Sequence, residues 1–257
     1  MAHAADTALH LETPSSGGLV ATRGLGVEFV RDRHQRPVTP ALARLRRARG
    51  RVWALKDVDL TFLAGEAVAL IGRSGSGKTT LLRAIAGVVV PDAGEIEVRG
   101  RVGALLSIDA GLMGLLSGRE NAELMGVLAG IPRMTMRARL DEVRDLADLG
   151  DAFERPAGTY SQGMRARLGF AVGQAAGASV IVLDEVHEAL DHEFRALVAD
   201  RARKLTEAGG VVIAAGHDHG LLETFCDRAV HLEQGHVQAD GPFGEVVRAY
   251  RAHPSGD

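Results

Sequence analysis

The run Gly72-Arg73-Ser74-Gly75-Ser76-Gly77-Lys78-Thr79 constrains this chain more than any other stretch, because it fits the pattern G-x-x-x-x-G-K-[ST] without a mismatch. Its flanks are those the pattern requires. Ala67 to Ile71 is an apolar run that reads as a buried strand, and Thr80 to Ala86 reads as a helix closed by Gly87. Glycines let the backbone curl round an anion, so successive N–H groups and the helix N-terminus face it. Lys78 adds a point charge beside the β- and γ-phosphates of a nucleoside triphosphate, and the Thr79 hydroxyl is placed to ligate Mg²⁺. A chain carrying this strand, loop and helix is committed to an α/β core.

At 257 residues, one large α/β domain with an inserted subdomain is the natural expectation. The net charge of −3 gives no general attraction to nucleic acid or to anionic lipid. One cysteine, Cys226, excludes an intramolecular disulfide and suits a reducing compartment. No apolar run reaches the roughly 20 residues of a membrane helix, so any membrane role is expected to run through a partner. Residues 1–18 lack the apolar core of a secretory signal and read as a disordered tail. Between Arg31 and Arg51, arginines crowd against a single acid, Asp32, with Leu42 and Leu45 at helical spacing. That stretch reads either as a solvated arm or as a basic amphipathic helix against lipid headgroups or a membrane subunit.

Strand and helix patterns alternate along the rest. Leu19 to Phe29 and Val58 to Phe62 read as strands, Pro91 to Gly94 as a turn, and Glu95 to Arg99 as a half-exposed strand. From about residue 112 to 177 the character is helical. Ser117-Gly118-Arg119-Glu120 fits a capping box that starts a helix running to about Leu128, and Leu140, Val143, Leu146 and Leu149 keep helical spacing up to Gly150. Ser179 to Leu183 and Val211 to Ala215 return to buried-strand patterns. These alternations predict a mainly parallel sheet interrupted by a helical insertion.

Two further motifs bear on chemistry. Val180-Ile181-Val182-Leu183-Asp184-Glu185 is an apolar strand ending in two acids. Ligands of open α/β sheets gather at the carboxyl ends of strands, so Asp184 is placed to reach a Mg²⁺ held by Thr79. Glu185, one residue on, is placed to polarise a water for in-line attack on the γ-phosphate. In Tyr160-Ser161-Gln162-Gly163-Met164-Arg165, Ser161 can cap a helix starting at Gln162, which makes a second anion-binding helix end. One chain needs only one γ-phosphate cradle, so the second is expected to serve a nucleotide held by another copy of the fold.

At this point the chain resembles the ATP-binding cassette (ABC) family, whose signature Leu-Ser-Gly-Gly-Gln corresponds to Tyr160-Ser161-Gln162-Gly163-Met164. Trp53-Ala54-Leu55-Lys56-Asp57-Val58, Gly118-Arg119-Glu120-Asn121 and Gly241 to Tyr250 look like the ATPase subunits of polysaccharide, O-antigen and teichoic-acid exporters. The resemblance runs from about Leu19 to Tyr250. It implies a P-loop NTPase, RecA-like core with an N-terminal antiparallel β subdomain and an inserted helical subdomain at about 112–177. It also implies that the chain is like the short members that lack a C-terminal carbohydrate-binding domain, residues 251–257 being a short tail.

By that similarity, ATP sits on residues 72–80, Thr80 included, with Lys78 on the β- and γ-phosphates and Thr79 and Asp184 on Mg²⁺. Glu185 is the base or water-positioner, and His217, in Gly216-His217-Asp218, contacts the γ-phosphate. Ser161, Gln162 and Gly163 complete the site of the opposite protomer, and Asp191, in Ala189-Leu190-Asp191, lies in the loop linking the two sites. Trp53 is a candidate for stacking on adenine and equally for a core aromatic. The implied assembly is a homodimer of ATPase subunits beneath two integral membrane permease subunits, peripheral at the cytoplasmic face of the inner membrane, hydrolysing ATP to export a lipid-linked cell-envelope glycan. The glycan is expected to be bound by the membrane subunits rather than by this chain, and no nucleic acid is implied.

Some residues depart from the family pattern. The coupling-loop glutamine is absent, with Asp109 in the corresponding stretch Ser107 to Leu112; Gly216 replaces a serine, and His187-Glu188 is unusual after the base. Rival readings are an exporter ATPase for a lipid or drug, a soluble cassette protein with no membrane partner, and a P-loop kinase. The last would not need the Ser161–Gly163 signature.

Overall fold

The computed structural model describes residues 19–31, 50–105, 112–185 and 192–252. Strands β1 (Leu19–Arg31), β2 (Gly50–Phe62) and β3 (Ala67–Ile71) lead into helix α1 (Lys78–Ile85). Strands β4 (Ala93–Arg99) and β5 (Val102–Leu105) follow, then α2 (Gly118–Leu128), α3 (Arg133–Ala138), α4 (Leu140–Ala147), two 3₁₀ turns and α5 (Gln162–Ala175). The chain continues through β6 (Val180–Asp184), α6 (His192–Glu207), β7 (Val211–Ala215) and α7 (His219–Glu223) to β8 (Arg228–Glu233), β9 (His236–Pro242) and α8 (Phe243–Ala252).

Two sheets result. The larger has the order β5-β6-β7-β3-β8-β9, parallel throughout except for β9, which pairs antiparallel with β8. Its central strands β3, β6 and β7 are buried at every position, as their unbroken apolar runs require of strands covered on both faces. The smaller sheet, β2-β1-β4, is antiparallel. The α/β class, the mainly parallel core, the antiparallel subdomain and the helical insertion are therefore those expected from the sequence.

Alternation along β3 divides the core between two faces. Val68 and Leu70 point to one, where Leu81, Leu82 and Ile85 of α1 meet Leu25, Leu55 and Val58 of the small sheet. Ala67, Ala69 and Ile71 point to the other, which is covered by Phe194 and Val198 of α6, Leu222 of α7, and Phe243 and Val246 of α8. The helical insertion has a core of its own, built from Ala122, Met136, Leu140, Val143, Phe153, Leu168 and Val172. Helix α5 belongs to two of these cores. Ala166 and Phe170 face the sheet, while Leu168, Ala171 and Val172 face the helical layer.

Several local expectations shift. Strand β2 begins at Gly50, well before Val58, and Arg51 lies in it with its guanidinium 3.1 Å from Glu28 Oε2. The ends of the arginine-rich stretch are thus strand rather than arm, and residues 32–49 lie outside the described residues. Helix α4 stops at Asp148, in the left-handed conformation with φ +51°, and Gly150 opens the first 3₁₀ turn instead of ending the helix. Strand β4 starts at Ala93, inside the expected turn. The tail 1–18 and the stretches holding Asp109, His187-Glu188 and Asp191 also lie outside the described residues.

The capping box at Ser117 is present in full, with the Ser117 side chain and Glu120 exchanging bonds with each other's backbone N–H. One turn on, buried Asn121 accepts from Met113 N–H at 2.8 Å and donates to the carbonyls of Met113, Leu116 and Ser117. One amide thereby fastens a loop that leaves Leu115 95% exposed. Asn121→Ala removes those bonds and strands buried backbone groups, at a cost of about 1–3 kcal/mol. Denaturant unfolding is expected to show that loss, together with faster amide exchange at residues 113–117; unchanged stability would contradict it.

Candidate functional site

Because β6, β7 and β3 are adjacent and parallel, their carboxyl ends open on one edge of the sheet. In the register, Asp184 lies beside Ala215 and Ala215 beside Leu70, so the residues that follow each strand converge. The glycine-rich loop leaves β3, Asp184 ends β6 with Glu185 next, and His217 follows β7. The structure brings together these three sets of residues, although the loop and Asp184 lie far apart in the sequence.

The loop path admits little but glycine at two points. Gly72 has φ +144°, and a Cβ there would stand 2.2 Å from Leu232 O and 2.8 Å from Ser76 Oγ. Gly77, with φ +111°, caps the N-terminus of α1, and its Cβ would stand 2.7 Å from Ala54 O. Arg73, Ser74 and Gly75 form the exposed outer rim, while Thr79 and Thr80 lie in the first turn of α1.

Buried polar groups concentrate here. Among the described residues the buried polar or charged side chains are Thr22, Ser76, Lys78, Asn121 and Asp184, and three of these five stand at the loop. Lys78 Nζ is folded into the loop, donating to Gly72 O at 2.7 Å and to Arg73 O at 3.2 Å. Ser76 Oγ and Asp184 Oδ1 have no hydrogen-bond partner. Such atoms are costly to bury unsatisfied, and they mark places where a ligand supplies what the protein does not. Burial pushes the Asp184 carboxyl above the ordinary carboxylate range, and a hydrogen bond from Thr79 pulls it part of the way back. The Thr79 hydroxyl therefore lies close to the Asp184 carboxyl, whose Oδ1 has no hydrogen-bond partner. A hydroxyl and a carboxylate are oxygen donors of the kind a hard divalent cation takes.

Glu185 departs from the strand sharply. Its φ of +54° is left-handed, costing about 1 kcal/mol or more for a residue with a side chain, and its N–H donates to Ala215 O at 2.8 Å. That bend ties β6 to β7 and turns the Glu185 carboxylate toward His217, whose Nε2 stands 3.0 Å from Glu185 Oε1. Both side chains are half-exposed. Asp218 Oδ1 accepts from Leu221 N–H at 3.0 Å and so starts α7 directly after the histidine.

The signature segment stands apart from this cluster, at the end of α5 that packs into the helical layer. Ser161 caps α5, its Oγ accepting from Met164 N–H at 3.2 Å, and it is exposed together with Gln162; Gly163 is half-buried. Tyr160 before it is buried, and its hydroxyl donates to Ala152 O at 2.6 Å. A Cβ at Gly118 would lie 2.2 Å from that hydroxyl, which explains a glycine at the start of α2.

Trp53 lies on β2, opposite Glu28, with its ring over Gly26. It is 40% exposed, so one face is packed and part of the ring is open. Ala54 and Leu55, the next residues, touch Gly77 of the loop. Sequence reasoning missed the turn at Gln234-Gly235, whose N–H at Gly235 donates to Ser76 O at 3.0 Å. A Gln-Gly pair between the alternating stretches of β8 and β9 is a hairpin signal that could have found it.

Comparison with known proteins gives the family and the fold. The ABC transporter family model matches residues 55–188. The O-antigen export system ATP-binding protein RfbB of Myxococcus xanthus is 36% identical over 200 residues, covering 78% of this chain and 46% of that protein. The teichoic acids export ATP-binding protein TagH of Bacillus cereus is 36% identical over 200 residues, covering 78% and 36%. The RfbB protein of Klebsiella pneumoniae is 33% identical over 198 residues, covering 77% and 80%. The chain therefore spans less than half the length of the first two relatives and most of the third. Among solved structures, the dimeric ATP-binding cassette MJ0796 in a post-hydrolysis state bound to ADP and Pi has a similar fold. It aligns with a TM-score of 0.71 at 23% identity, over 87% of this chain and 98% of that one. Among the described residues no helix is long and apolar enough to cross a membrane.

The raised Asp184 value carries a stability consequence. A carboxyl held above its unfolded value stabilises the fold fully below about pH 4 and loses that contribution as pH rises through the folded value. At neutral pH the charged carboxylate therefore works against the ligand-free fold. Asp184→Asn is expected to raise the melting temperature of the ligand-free chain at pH 7, with the gain shrinking toward pH 4. A melting temperature at pH 7 equal to or below that of the parent chain would contradict this.

Proposed function

The chain belongs to the ABC transporter family, and from that premise we propose that it is the ATP-hydrolysing subunit of an exporter for a lipid-linked cell-envelope glycan. The observation that carries the ATPase part is the convergence of the loop, the unpartnered Asp184 oxygen and the Glu185–His217 pair on one sheet edge. The glycan part rests on the relatives, named for O-antigen and teichoic acid export.

In this reading the loop amides and the α1 N-terminus bind the β- and γ-phosphates of ATP. Lys78 exchanges its bonds to Gly72 O and Arg73 O for phosphate oxygens. Thr79 and Asp184 would hold Mg²⁺, which when bound neutralises charge developing on the phosphates. Glu185 Oε1 accepts a proton from, or aligns, the attacking water, and His217 Nε2 holds that carboxylate in place and faces the γ-phosphate. Trp53 offers its open face to adenine.

Ser161, Gln162 and Gly163 complete the site of a second copy. Ser161 is exposed at a helix N-terminus and engages only its own helix among the hydrogen bonds described, as a surface that meets a ligand on another chain requires. The Asn121-fastened loop, with Leu115 and Met113 exposed, is the surface assigned to a membrane permease. It is bonded alongside the approach to the signature, Ala157 N–H to Leu116 O at 2.8 Å and Gly158 N–H to Gly114 O at 2.8 Å. Movement at that surface is thereby passed to Ser161. Two such chains and two permease subunits, at the cytoplasmic face of the inner membrane, make the proposed transporter.

Glu185→Gln tests the chemistry. It leaves the phosphate loop intact while removing the proton acceptor, so turnover is expected to fall by about 10²–10⁴-fold. ATP should then hold the variant as a dimer in sedimentation. Turnover equal to the parent's would remove Glu185 from the reaction.

A further inference from the structure

We propose that the turn at Gln234-Gly235, between β8 and β9, is a positioning element that sets the spacing between the phosphate loop and the strand carrying Trp53. This rests on the reading above, in which the loop takes the phosphates and Trp53 the base.

The turn is the point at which the two sheets touch beside the site. Strand β2 belongs to the small antiparallel sheet, and β3, which feeds the loop, to the large one. Gln234 (φ +50°) and Gly235 (φ +83°) are both left-handed, the conformation of a two-residue hairpin turn. Gly235 then bonds both ways. Its N–H donates to Ser76 O of the phosphate loop at 3.0 Å, and its carbonyl accepts from Lys56 N–H of β2 at 2.9 Å. Lys56 follows Trp53 closely on the same strand.

No side chain fits between the partners. A Cβ on Gly235 would meet Ala54 O at 2.7 Å, Ala54 C at 3.0 Å and Leu55 Cα at 3.2 Å, all backbone atoms that cannot rotate aside. From the other side, a Cβ on Gly77 would meet Ala54 O at 2.7 Å and Gly235 Cα at 3.6 Å. Loop, turn and aromatic strand are thus in direct backbone contact. The base and triphosphate of one nucleotide are covalently joined, so both ends bind without strain only when that spacing is right.

Trp53 is the sole tryptophan, so its emission reports the base site directly. The test titrates the full chain, with Mg²⁺, with ATP and separately with inorganic tripolyphosphate, which has no base to span the gap. In the parent chain ATP should change Trp53 emission and tripolyphosphate should bind with little change. In Gly235→Ala, ATP affinity should fall about tenfold, a loss of the size of one base–aromatic contact, while tripolyphosphate affinity stays within about twofold. Gly130→Ala is the control. Gly130 has φ +82° with nothing within 4 Å of a Cβ, so that variant carries the same backbone penalty without the clash and should bind both ligands normally.

Equal loss of both ligands in Gly235→Ala, no loss of either, or a silent Trp53 in a parent chain that binds ATP would overturn the proposal. A parent chain that binds neither ligand would overturn the phosphate-loop reading beneath it. Should Gly235→Ala not fold, amide exchange on the parent chain decides. ATP should slow exchange at Lys56 and Gly235 more than tripolyphosphate does, and equal slowing would refute the positioning role.

Discussion

A buried lysine held by two carbonyls is the interaction on which the site depends. Lys78 is 4% exposed, and Gly72 O and Arg73 O close the loop around its ammonium group. An ammonium ion is costly to bury, and these bonds hold it in the loop, where its charge favours the ionised form of the Asp184 carboxyl. In the same loop Ser76 Oγ, and at the end of the neighbouring strand Asp184 Oδ1, have no hydrogen-bond partner. Among the described residues, three of the five buried polar or charged side chains, Ser76, Lys78 and Asp184, stand at this edge of the sheet.

Parallel pairing makes that concentration possible. Three neighbouring strands end together, so residues far apart in the chain need only their own strand to bring them to the edge. The glycines at Gly72 and Gly77 then let backbone approach backbone at distances that a methyl group would prevent. Helix α5 performs a different task. Its inner residues belong to the sheet core and its outer ones to the helical layer, so Ser161 is carried on an element that neither core holds alone. Tyr160 fastens its start to Ala152, and the backbone bonds around Gly114 and Gly158 join it to the exposed loop above. The exposed loop and the approach to the serine-capped helix end are thereby joined by backbone hydrogen bonds.

Much of this is legible in the residues. The loop, the strand ending in Asp184, the capping box at Ser117 and the cap at Ser161 are local patterns whose physics acts within a few positions, and each forms at the residues that carry its pattern. Strand β2 reads too short in the sequence because Gly50 to Asp57 mixes charged and apolar residues, its order coming from pairing with β1 rather than from its own periodicity. The end of α4 is displaced because Asp148 takes the left-handed cap that a glycine two residues later is expected to supply. Gly235 does its work through bonds to distant backbone at Ser76 and Lys56, which no spacing rule displays. The contact between Glu185 and His217 likewise depends on β6 lying beside β7 and on one left-handed residue.

In the proposed assembly one chain holds the phosphates and a second completes the site with its serine-capped helix. Specific ATPase activity, measured against chain concentration with the oligomeric state followed by sedimentation at each point, tests it most directly. Activity per chain is expected to climb as dimers form and to fall away when dilution separates them. Constant activity per chain in a species that sediments as a monomer throughout would contradict it.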